Sequence, residues 1–207
     1  MNKPLIILGN GGHAGVLTET LLSQGEKIIG FTSPTQEVND FGLTYLGQDE
    51  VIYNYNEMEI ELVLGIGMVN PGSIRESIFT KLKQKGYLFK SVIHSTAIIS
   101  PSAKLGEGIQ IMAGSVIQTR TSIADNTIVN TGALIDHDCQ IGAHIHIAPG
   151  VNISGAVQIQ NGTHIGTGTT IIQGIDIGEN CLIGAGAVVV KNLKNNVKAF
   201  GVPAKEV

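Results

Sequence analysis

The second half of the chain carries an aliphatic residue at every sixth position. Every sixth residue from Ile93 to Val189 is Ile, Leu or Val. Two residues before each of these lies a second regular position, which mostly holds small side chains such as Ser115, Ala133 and Thr163. Because strand side chains alternate, both positions point to the same side of the backbone. The pattern predicts short parallel strands that wind into a three-sided coil of 18 residues with an aliphatic interior.

Glycine often follows the aliphatic residue of the repeat, as at Gly106, Gly142 and Gly166. Because glycine tolerates positive φ, we expect these glycines to form the corners of the coil. Aromatic residues make up only 4% of the chain, which agrees with a core of stacked aliphatic layers. A purely structural solenoid stays open as an alternative at this point.

Residues 1–90 follow a different pattern, in which short apolar runs alternate with segments whose apolar residues have helical spacing. Strands are predicted at 5–8, 27–31 and 61–67, and a helix at 73–85. The order of strand, helix and strand indicates a small Rossmann-like parallel sheet with covering helices. We therefore predict two domains, an αβ domain at 1–90 and a β-prism at 91–207.

A glycine-rich loop follows the first predicted strand. Its residues, Gly9 to Ala14, fit the pattern G-x-G-x-x-A, which is close to a dinucleotide fingerprint. A dinucleotide site also needs an acid at the end of the second strand, where this chain has Thr32-Ser33. Backbone N–H groups at a helix start can instead bind a phosphate or a sugar hydroxyl. A sugar or nucleotide sugar is the expected ligand, and a tight turn without a ligand is the alternative.

Four histidines lie in the core of the repeat, and one of them is flanked by two carboxylates in Asp136-His137-Asp138. A carboxylate neighbour fixes the tautomer of a histidine and makes it more basic, as a general base requires. Clustered histidines can also bind zinc, and zinc-dependent carbonic anhydrases share this prism. The spacing of His144, His146 and His164 does not match their ligand pattern, so no metal is expected.

The coil places these residues on its three faces. His137 lies at the corner between the faces of Ile135 and Ile141, whereas His146 points outward from the third face. Since a side of six residues is about 20 Å long, the two histidines of one chain cannot share a site. If both act on one substrate, they come from neighbouring subunits, and a threefold oligomer suits a prism. Thr167 and Ala185 form a column of small residues, which favours a groove for an extended ligand such as coenzyme A.

The net charge, the lengths of the apolar runs and the cysteines argue against several classes of protein. The net charge of −4 and the absence of a basic cluster disfavour nucleic-acid binding. No apolar run reaches the roughly 18 residues that a membrane helix needs, and the first residues do not resemble a signal peptide. Cys139 and Cys181 lie on different faces, which suggests free thiols in a reducing compartment. The expected location is cytoplasmic.

Taken together, Gly-x-Gly-Gly-His-Ala, the hexad repeat, Ile-Asp-His-Asp-Cys and a terminal Gly201-Val202-Pro203-Ala204-Lys205 resemble one family. It is the sugar O-acyltransferase family, which includes sialic acid O-acetyltransferase and the UDP-4-amino-sugar N-acetyltransferases of bacterial glycan synthesis. The resemblance implies a left-handed parallel β-helix and a homotrimer. It also implies transfer of an acetyl group from acetyl-CoA to a sugar, with a UDP-4-amino-sugar as the expected acceptor and a sialic acid-type O-acetyltransferase as the alternative.

The same resemblance implies roles for individual residues. His137 matches the general base and Asp138 the acid that raises its basicity. The matching coenzyme residues are His146, Thr167 and Ala185. The matching substrate residues are Gly11, Gly12, His13, Gly67 and Asn130. Thr32 and Ser33 stand where the family often has an Asp-Asp pair. They are expected to line the site, and the identity of the bound nucleotide stays open. His164 has no counterpart in the family.

Overall fold

The structure, a computed structural model, describes residues 3–72 and 74–207. It divides into two compact units. One unit combines the chain up to Gly67 with Ser77–Val92. The other combines Met68–Glu76 with Ile93–Val207. Segment Met68–Glu76 therefore belongs with the repeat region, although it lies well before that region in the sequence.

The N-terminal unit is built on a four-stranded parallel sheet. Its elements are β1 (Leu5–Leu8), α1 (Gly12–Ser23), β2 (Ile28–Thr32), β3 (Tyr45–Gly47), a 3₁₀ helix (Asp49–Asn54), β4 (Glu61–Leu64) and α2 (Ile74–Gln84). The strand order is β3-β2-β1-β4. The predicted parallel αβ fold is confirmed, and β3 and the 3₁₀ helix are additions that the sequence patterns did not indicate. Ser73, the first residue of the predicted helix, lies outside the described residues.

The aliphatic run of β1 explains why it lies in the middle of this sheet. All four of its residues are buried, as expected for a strand that is covered on both faces. Ile6 and Leu8 pack in a core with Ile52 and Leu62 and with the stacked rings of Phe79 and Phe89. The glycine-rich loop therefore directly follows a strand whose residues are all buried.

The repeat region folds as predicted into three sheets of parallel strands, the left-handed β-helix, and one antiparallel strand, Lys205–Glu206, is added at the end of the third sheet. Sheet I contains Ile98–Ile99, Val116–Ile117, Leu134–Ile135, Asn152–Ile153, Thr170–Ile171 and Val188–Val189. Sheet II contains Lys104–Leu105, Ser122–Ile123, Gln140–Ile141, Gln158–Ile159 and Asp176–Ile177. Sheet III contains Val92–Ile93, Gln110–Ile111, Ile128–Val129, His146–Ile147, His164–Ile165, Leu182–Ile183, Lys198–Phe200 and Lys205–Glu206.

The interior of the prism holds both regular positions of the hexad. The aliphatic residues form one continuous buried core, with Ile165 and Ile171 fully enclosed. The small polar residues are buried as well, and their hydroxyls donate to carbonyls, as Thr163 Oγ1 does to Gly178 O at 2.8 Å. Because a buried hydroxyl without a partner is costly, this contact explains why threonine is tolerated inside an aliphatic column. Both cysteines are also buried and free.

The corners differ from the prediction made for glycine. Positive φ occurs three residues after the aliphatic position, for example at Gly114, Arg120 and Asp138, and not at the glycines directly after it. Those glycines are needed for close approach instead. A Cβ at Gly142 would lie 2.5 Å from Asn161 Oδ1 in the next coil. The expectation that these glycines supply positive φ was wrong, because the chain turns two residues later.

The outward surfaces of the sheets differ in polarity. Sheet I exposes Ile98 and Leu134, the first of them to 66%, and Ile172, directly after its strand Thr170–Ile171, is exposed as well. Sheet II presents polar side chains at the matching positions, such as Lys104 and Gln140. Within the described part of the chain, no helix is both long enough and apolar enough to cross a membrane.

Candidate functional site

The corner that follows Leu134–Ile135 holds a histidine and a carboxylate in direct contact. Nδ1 of His137 lies 2.7 Å from Oδ2 of Asp138. The backbone N–H of His137 donates to Oδ1 of Asp136 at 2.8 Å, which fixes the turn from the other side. The side chain of His137 is 44% exposed, so the ring is held and still reachable from solvent.

Arg120 holds the carboxylate from the preceding coil. Its Nε and Nη2 donate to the two oxygens of Asp138 at 2.6 and 2.8 Å, an ordered two-point contact. The hydrogen bonds from Arg120, and then from His137, hold the pKa of the Asp138 carboxyl well below its usual range. An ionised carboxylate only accepts, so in the neutral imidazole of His137 Nδ1 carries the proton and Nε2 has the lone pair. This is the arrangement of a general base.

Two shallow depressions flank this corner. One, of about 390 Å³, lies on sheet I. It is lined by Val116, Gln118, Leu134, Ile135, Asp136, Asn152, Ile153 and Ser154. The other, of about 460 Å³, lies on sheet II. It is lined by Ser102, Lys104, Arg120, Ser122, Asp138 and Gln140. The histidine therefore stands on a ridge between an apolar and a polar surface.

The histidines of sheet III lie on a different side of the prism. His146 and His164 are paired neighbours in adjacent coils, with their ring centroids 5.0 Å apart. The amide of Asn130 is oriented by the Thr131 N–H, which donates to its Oδ1 at 2.8 Å. Nδ2 of Asn130 therefore faces Nε2 of His146, at 3.1 Å. Nε2 accepts this bond, so the His146 proton sits on Nδ1 and is donated to the carbonyl of Met68.

The column of small residues runs along the corner after sheet III. Thr167 and Ala185 are exposed and stacked, since the Gly186 N–H donates to the carbonyl of Thr167 at 2.8 Å. The left-handed position of this corner is glycine in every coil from Gly114 to Gly186. Thr167 and Ala185 thus lie at the end of the face that carries His146, and His137 lies at a corner that this face does not reach.

The glycine loop of the N-terminal unit borders a small open cavity. The cavity has a volume of about 140 Å³. Its lining is Asn10, Gly11, Gly12, Gly15, Val38, Asn39, Asp40 and Phe41. A Cβ at Gly11 or Gly12 would meet no atom within 4 Å, so the backbone at the start of α1 is directly accessible. The N–H groups there favour an anion or a hydroxyl.

The remaining predicted substrate residues lie in different surroundings. Thr32 is fully buried and its hydroxyl donates to Asp49 Oδ1 at 2.5 Å. Ser33 is 4% exposed and its hydroxyl donates to the carbonyl of Thr35. Gly67 is exposed, and a Cβ placed there would lie 3.7 Å from the Cβ of His13. His13 and Gly67 therefore lie together. The hydroxyls of Thr32, the last residue of β2, and of Ser33, which follows it, are instead engaged inside the fold.

Known proteins resemble the chain over its whole length. Two family models match it, the PglD N-terminal domain at residues 4–82 and the bacterial transferase hexapeptide, in six repeats, at residues 156–191. PerB from Caulobacter crescentus, solved with CoA and GDP-perosamine, is 34% identical, with 100% of this chain and 98% of that chain covered and a TM-score of 0.90. The acetyltransferase domain of PglB from Neisseria gonorrhoeae is 32% identical, with 100% of both chains covered and a TM-score of 0.93.

The chain belongs to the hexapeptide-repeat sugar acyltransferases. A hexapeptide-repeat acyltransferase needs a base, and the Asp138–His137 corner supplies the geometry for one. Among the described residues, no group of three His, Cys, Asp or Glu side chains is placed to hold a metal ion.

Some features of this acyltransferase could not be recognised from the motifs. Arg120 becomes a partner of Asp138 only because the two stand 18 residues apart, a spacing that the repeat could have revealed. Asn10 occupies the first variable position of the glycine motif, and its Oδ1 accepts from Asn39 Nδ2 at 2.7 Å. Asp40 reaches the cavity from a loop eight residues beyond Thr32, so a search for an acid at the strand end could not find it.

Proposed function

We propose that this acyltransferase moves the acetyl group of acetyl-CoA to the amino group of a nucleotide-linked amino sugar, in the synthesis of a bacterial surface glycan. The observation that carries the proposal is the contact of 2.7 Å between His137 and an Asp138 carboxylate that Arg120 keeps ionised. The likeness to PerB, whose structure holds CoA and GDP-perosamine, supports the choice of donor and acceptor class.

The chemistry is a direct transfer. The lone pair of the acceptor amine attacks the thioester carbonyl carbon, and Nε2 of His137 takes the proton that the amine loses. The carbon–sulfur bond then breaks, and the CoA thiolate leaves and takes the proton from Nε2 of His137, so that an acetamide and a free thiol result. Asp138 stabilises the protonated imidazole during these steps.

A covalent acyl-enzyme is not part of this scheme. Cys139 is the thiol nearest to His137 in the sequence, but it is buried and its Sγ faces the carbonyl of Ser154 at 3.3 Å. Burial raises the pKa of the Cys139 thiol to about 11, so very little thiolate exists at neutral pH. The acceptor itself is therefore the nucleophile.

The accessible loop at Gly11 and Gly12 is the proposed site for the acceptor, with His13 and Gly67 beside it. The buried hydroxyls of Thr32 and Ser33 favour a supporting role for these two residues. Asp40 is the acid that lines this cavity and is therefore the better candidate for a polar contact to the ligand. His146, Thr167 and Ala185 are proposed to hold acetyl-CoA. Asn130 remains a proposed substrate residue beside His146.

We further propose a homotrimer with active sites between subunits. Sheet I exposes Ile98 and Leu134, each to more than 40%, and Ile172 lies directly after one of its strands; this is the kind of apolar surface that an oligomer covers. His137 lies at the edge of this sheet, whereas His146 lies on sheet III. Packing sheet I of one subunit against its neighbour brings His137 of one chain toward the groove of the next.

The decisive experiment is thiol release from acetyl-CoA with a panel of nucleotide sugars. Amino sugars linked to UDP and to GDP are compared with the matching hydroxy sugars and with free sialic acid. Release only with amino sugars, and an N-acetylated product by mass spectrometry, is expected. Release only with hydroxy acceptors would replace N-acetylation by O-acetylation, and a burst of free CoA before any acceptor is added would contradict direct transfer.

A mixing experiment tests the shared site. His137→Ala and the groove variant Thr167→Trp are each expected to be inactive, and the two are unfolded and refolded together. If a site takes His137 from one subunit and the groove from the next, random trimers regain about a quarter of the native activity. If both halves come from one chain, the mixture stays inactive. Light scattering on the native protein gives the subunit number independently.

A further inference from the structure

The side-chain amide of Asn10 joins the glycine-rich loop to the loop that follows β2. Its Nδ2 donates to Oε2 of Glu37 at 3.0 Å and to the carbonyl of Val38 at 3.2 Å. Its Oδ1 accepts from Nδ2 of Asn39 at 2.7 Å. The NH₂ group therefore faces two acceptors and the oxygen faces a donor, so the whole amide is used to bind three consecutive residues of the other loop.

The loop on the other side of this contact is a preorganised turn. Oδ1 of Asn39 accepts from the backbone N–H groups of Phe41 and Leu43 at 2.9 and 3.2 Å. The Gly42 N–H donates to the carbonyl of Asn39 at 3.0 Å. Asn39 thus holds its own turn with one end of its amide and Asn10 with the other. The turn moves as a unit, and Asn10 is the place where it is attached to the glycine-rich loop.

The two loops form opposite walls of the cavity beside α1. Gly11 lines the cavity on the side of the helix, and Val38, Asp40 and Phe41 line it on the other side. Asn10 belongs to the lining as well, at the point where the two walls are hydrogen-bonded to each other. Because the volume is only about 140 Å³, the distance between the walls decides what the cavity can hold.

We infer that Asn10 is a positioning residue for the acceptor, because its amide fixes residues 37–41 as the second wall of the acceptor site. The inference rests on the proposed binding of the acceptor at this cavity. Asn10 acts through Glu37 and Asn39 and touches no reacting atom. Without the amide, the loop spends part of its time away from the closed position, and the apparent affinity for the acceptor falls by that fraction.

The first test is Asn10→Ala, which removes all three bonds. KM for the acceptor is expected to rise by roughly 10-fold, because the competent loop position is less populated. Both kcat and KM for acetyl-CoA stay within about twofold, since His137 and the groove at Thr167 are not altered. Hydrogen exchange of the amides of residues 37–43, measured by mass spectrometry without ligands, is expected to become faster.

Two single variants serve as controls. Asn56→Ala removes another turn amide of the same unit, whose Oδ1 accepts from the Met58 N–H at 2.8 Å and which does not line the cavity. Glu37→Gln keeps an oxygen that can accept from Nδ2 of Asn10. Both variants are expected to keep the acceptor KM within about twofold and the native exchange of the loop, because the bonds that hold the wall remain.

A charge exchange separates positioning from direct contact with the acceptor. Asn10→Asp turns the donor end of the amide into a carboxylate that faces Glu37 and the Val38 carbonyl, so KM for the acceptor is expected to rise at least as much as in Asn10→Ala. In the double variant with Glu37→Gln, the new amide donates to the new carboxylate and the total charge is native. The double variant is expected to return to within about threefold of the native KM, with slow exchange restored.

Each outcome bears on a different statement. A native acceptor KM or unchanged exchange in Asn10→Ala would overturn the inference and leave His137 as the base. A high KM in the double variant with native exchange would mean that residue 10 contacts the acceptor directly, so the positioning role would be wrong. If the native protein acetylates no nucleotide sugar, the proposed function fails, and the exchange measurement, which needs no acceptor, still decides whether Asn10 fixes the loop.

Discussion

Histidine serves two different purposes on one repeat. His137 stands at a corner, is 44% exposed and has a carboxylate 2.7 Å from Nδ1. His146 and His164 stand in strands of sheet III, stacked one above the other, and His146 has both ring nitrogens engaged by neutral groups. Burial lowers the pKa of His164, partly offset by the backbone carbonyl of Met68.

The difference teaches that the position within the hexad decides the chemistry of the side chain. A corner residue projects beyond the sheets and can meet side chains of its own turn, as His137 meets Asp138. A strand residue becomes part of a column whose members are set every 18 residues, as His146 is followed by His164 and Leu182. The corner therefore holds a base, whereas the strands of sheet III present the neutral polar side chains of His146 and His164, here called the wall.

The largest expected effect comes from His137→Asn. Asparagine keeps a polar side chain at the corner but cannot take the proton of the acceptor, so kcat is expected to fall by roughly 10²- to 10⁴-fold. The measurement is thiol release at saturating acetyl-CoA. His94→Asn is the control, since His94 also follows a strand of the repeat and its ring is bonded within its own turn, to Thr96. A native kcat in His137→Asn would show that the corner histidine, like the wall histidines, does not serve as a base.

A smaller effect is expected from Asp138→Asn. The amide can still accept from Nδ1 but carries no charge to stabilise the imidazolium, so kcat falls by about 10- to 100-fold, less than when the base is lost. The folded state changes little, because the pair of Asp138 with Arg120 is largely exposed and such pairs contribute little to stability. Kinetics and thermal melts on the same samples separate the two effects. A lower melting temperature with native kcat would make the carboxylate a structural group.

The sequence predicted the fold almost completely, because the hexad leaves few choices. An aliphatic residue at every sixth place and a small residue two before it can be buried together only in a three-sided coil, and Ile135, Ile141 and Ile147 indeed fall in three different sheets. The position of the turn was misjudged. Glycine after the aliphatic residue suggested positive φ, whereas Gly142 is there to make room for Asn161.

The candidate site was predicted only in part, since contacts between coils are not visible in a motif. His137 and Asp138 are adjacent in sequence and could be found by their residue types. Arg120 acts from the preceding coil, and a three-dimensional register is needed to bring it to Asp138. In the N-terminal unit, the loop through Asp40 has no periodic pattern, so its place beside Gly11 could not be derived.

The smallest effect concerns the wall and is visible only in acid. Burial lowers the pKa of His164 in the folded state, so between that pKa and about 6.5 the unfolded chain binds more protons than the folded chain. The stability that depends on neutral His164 is therefore complete above about pH 6.5 and is lost as the pH falls through the folded-state pKa.

His164→Leu, which matches Leu182 in the same column, is expected to narrow the difference between the melting temperatures at pH 7.5 and pH 5.5. Each kcal/mol recovered corresponds to about 2–4 °C. His144, whose pKa burial also lowers, keeps part of the acid sensitivity in this variant. If the difference between the two melting temperatures is unchanged in His164→Leu, protonation of His164 does not destabilise the fold.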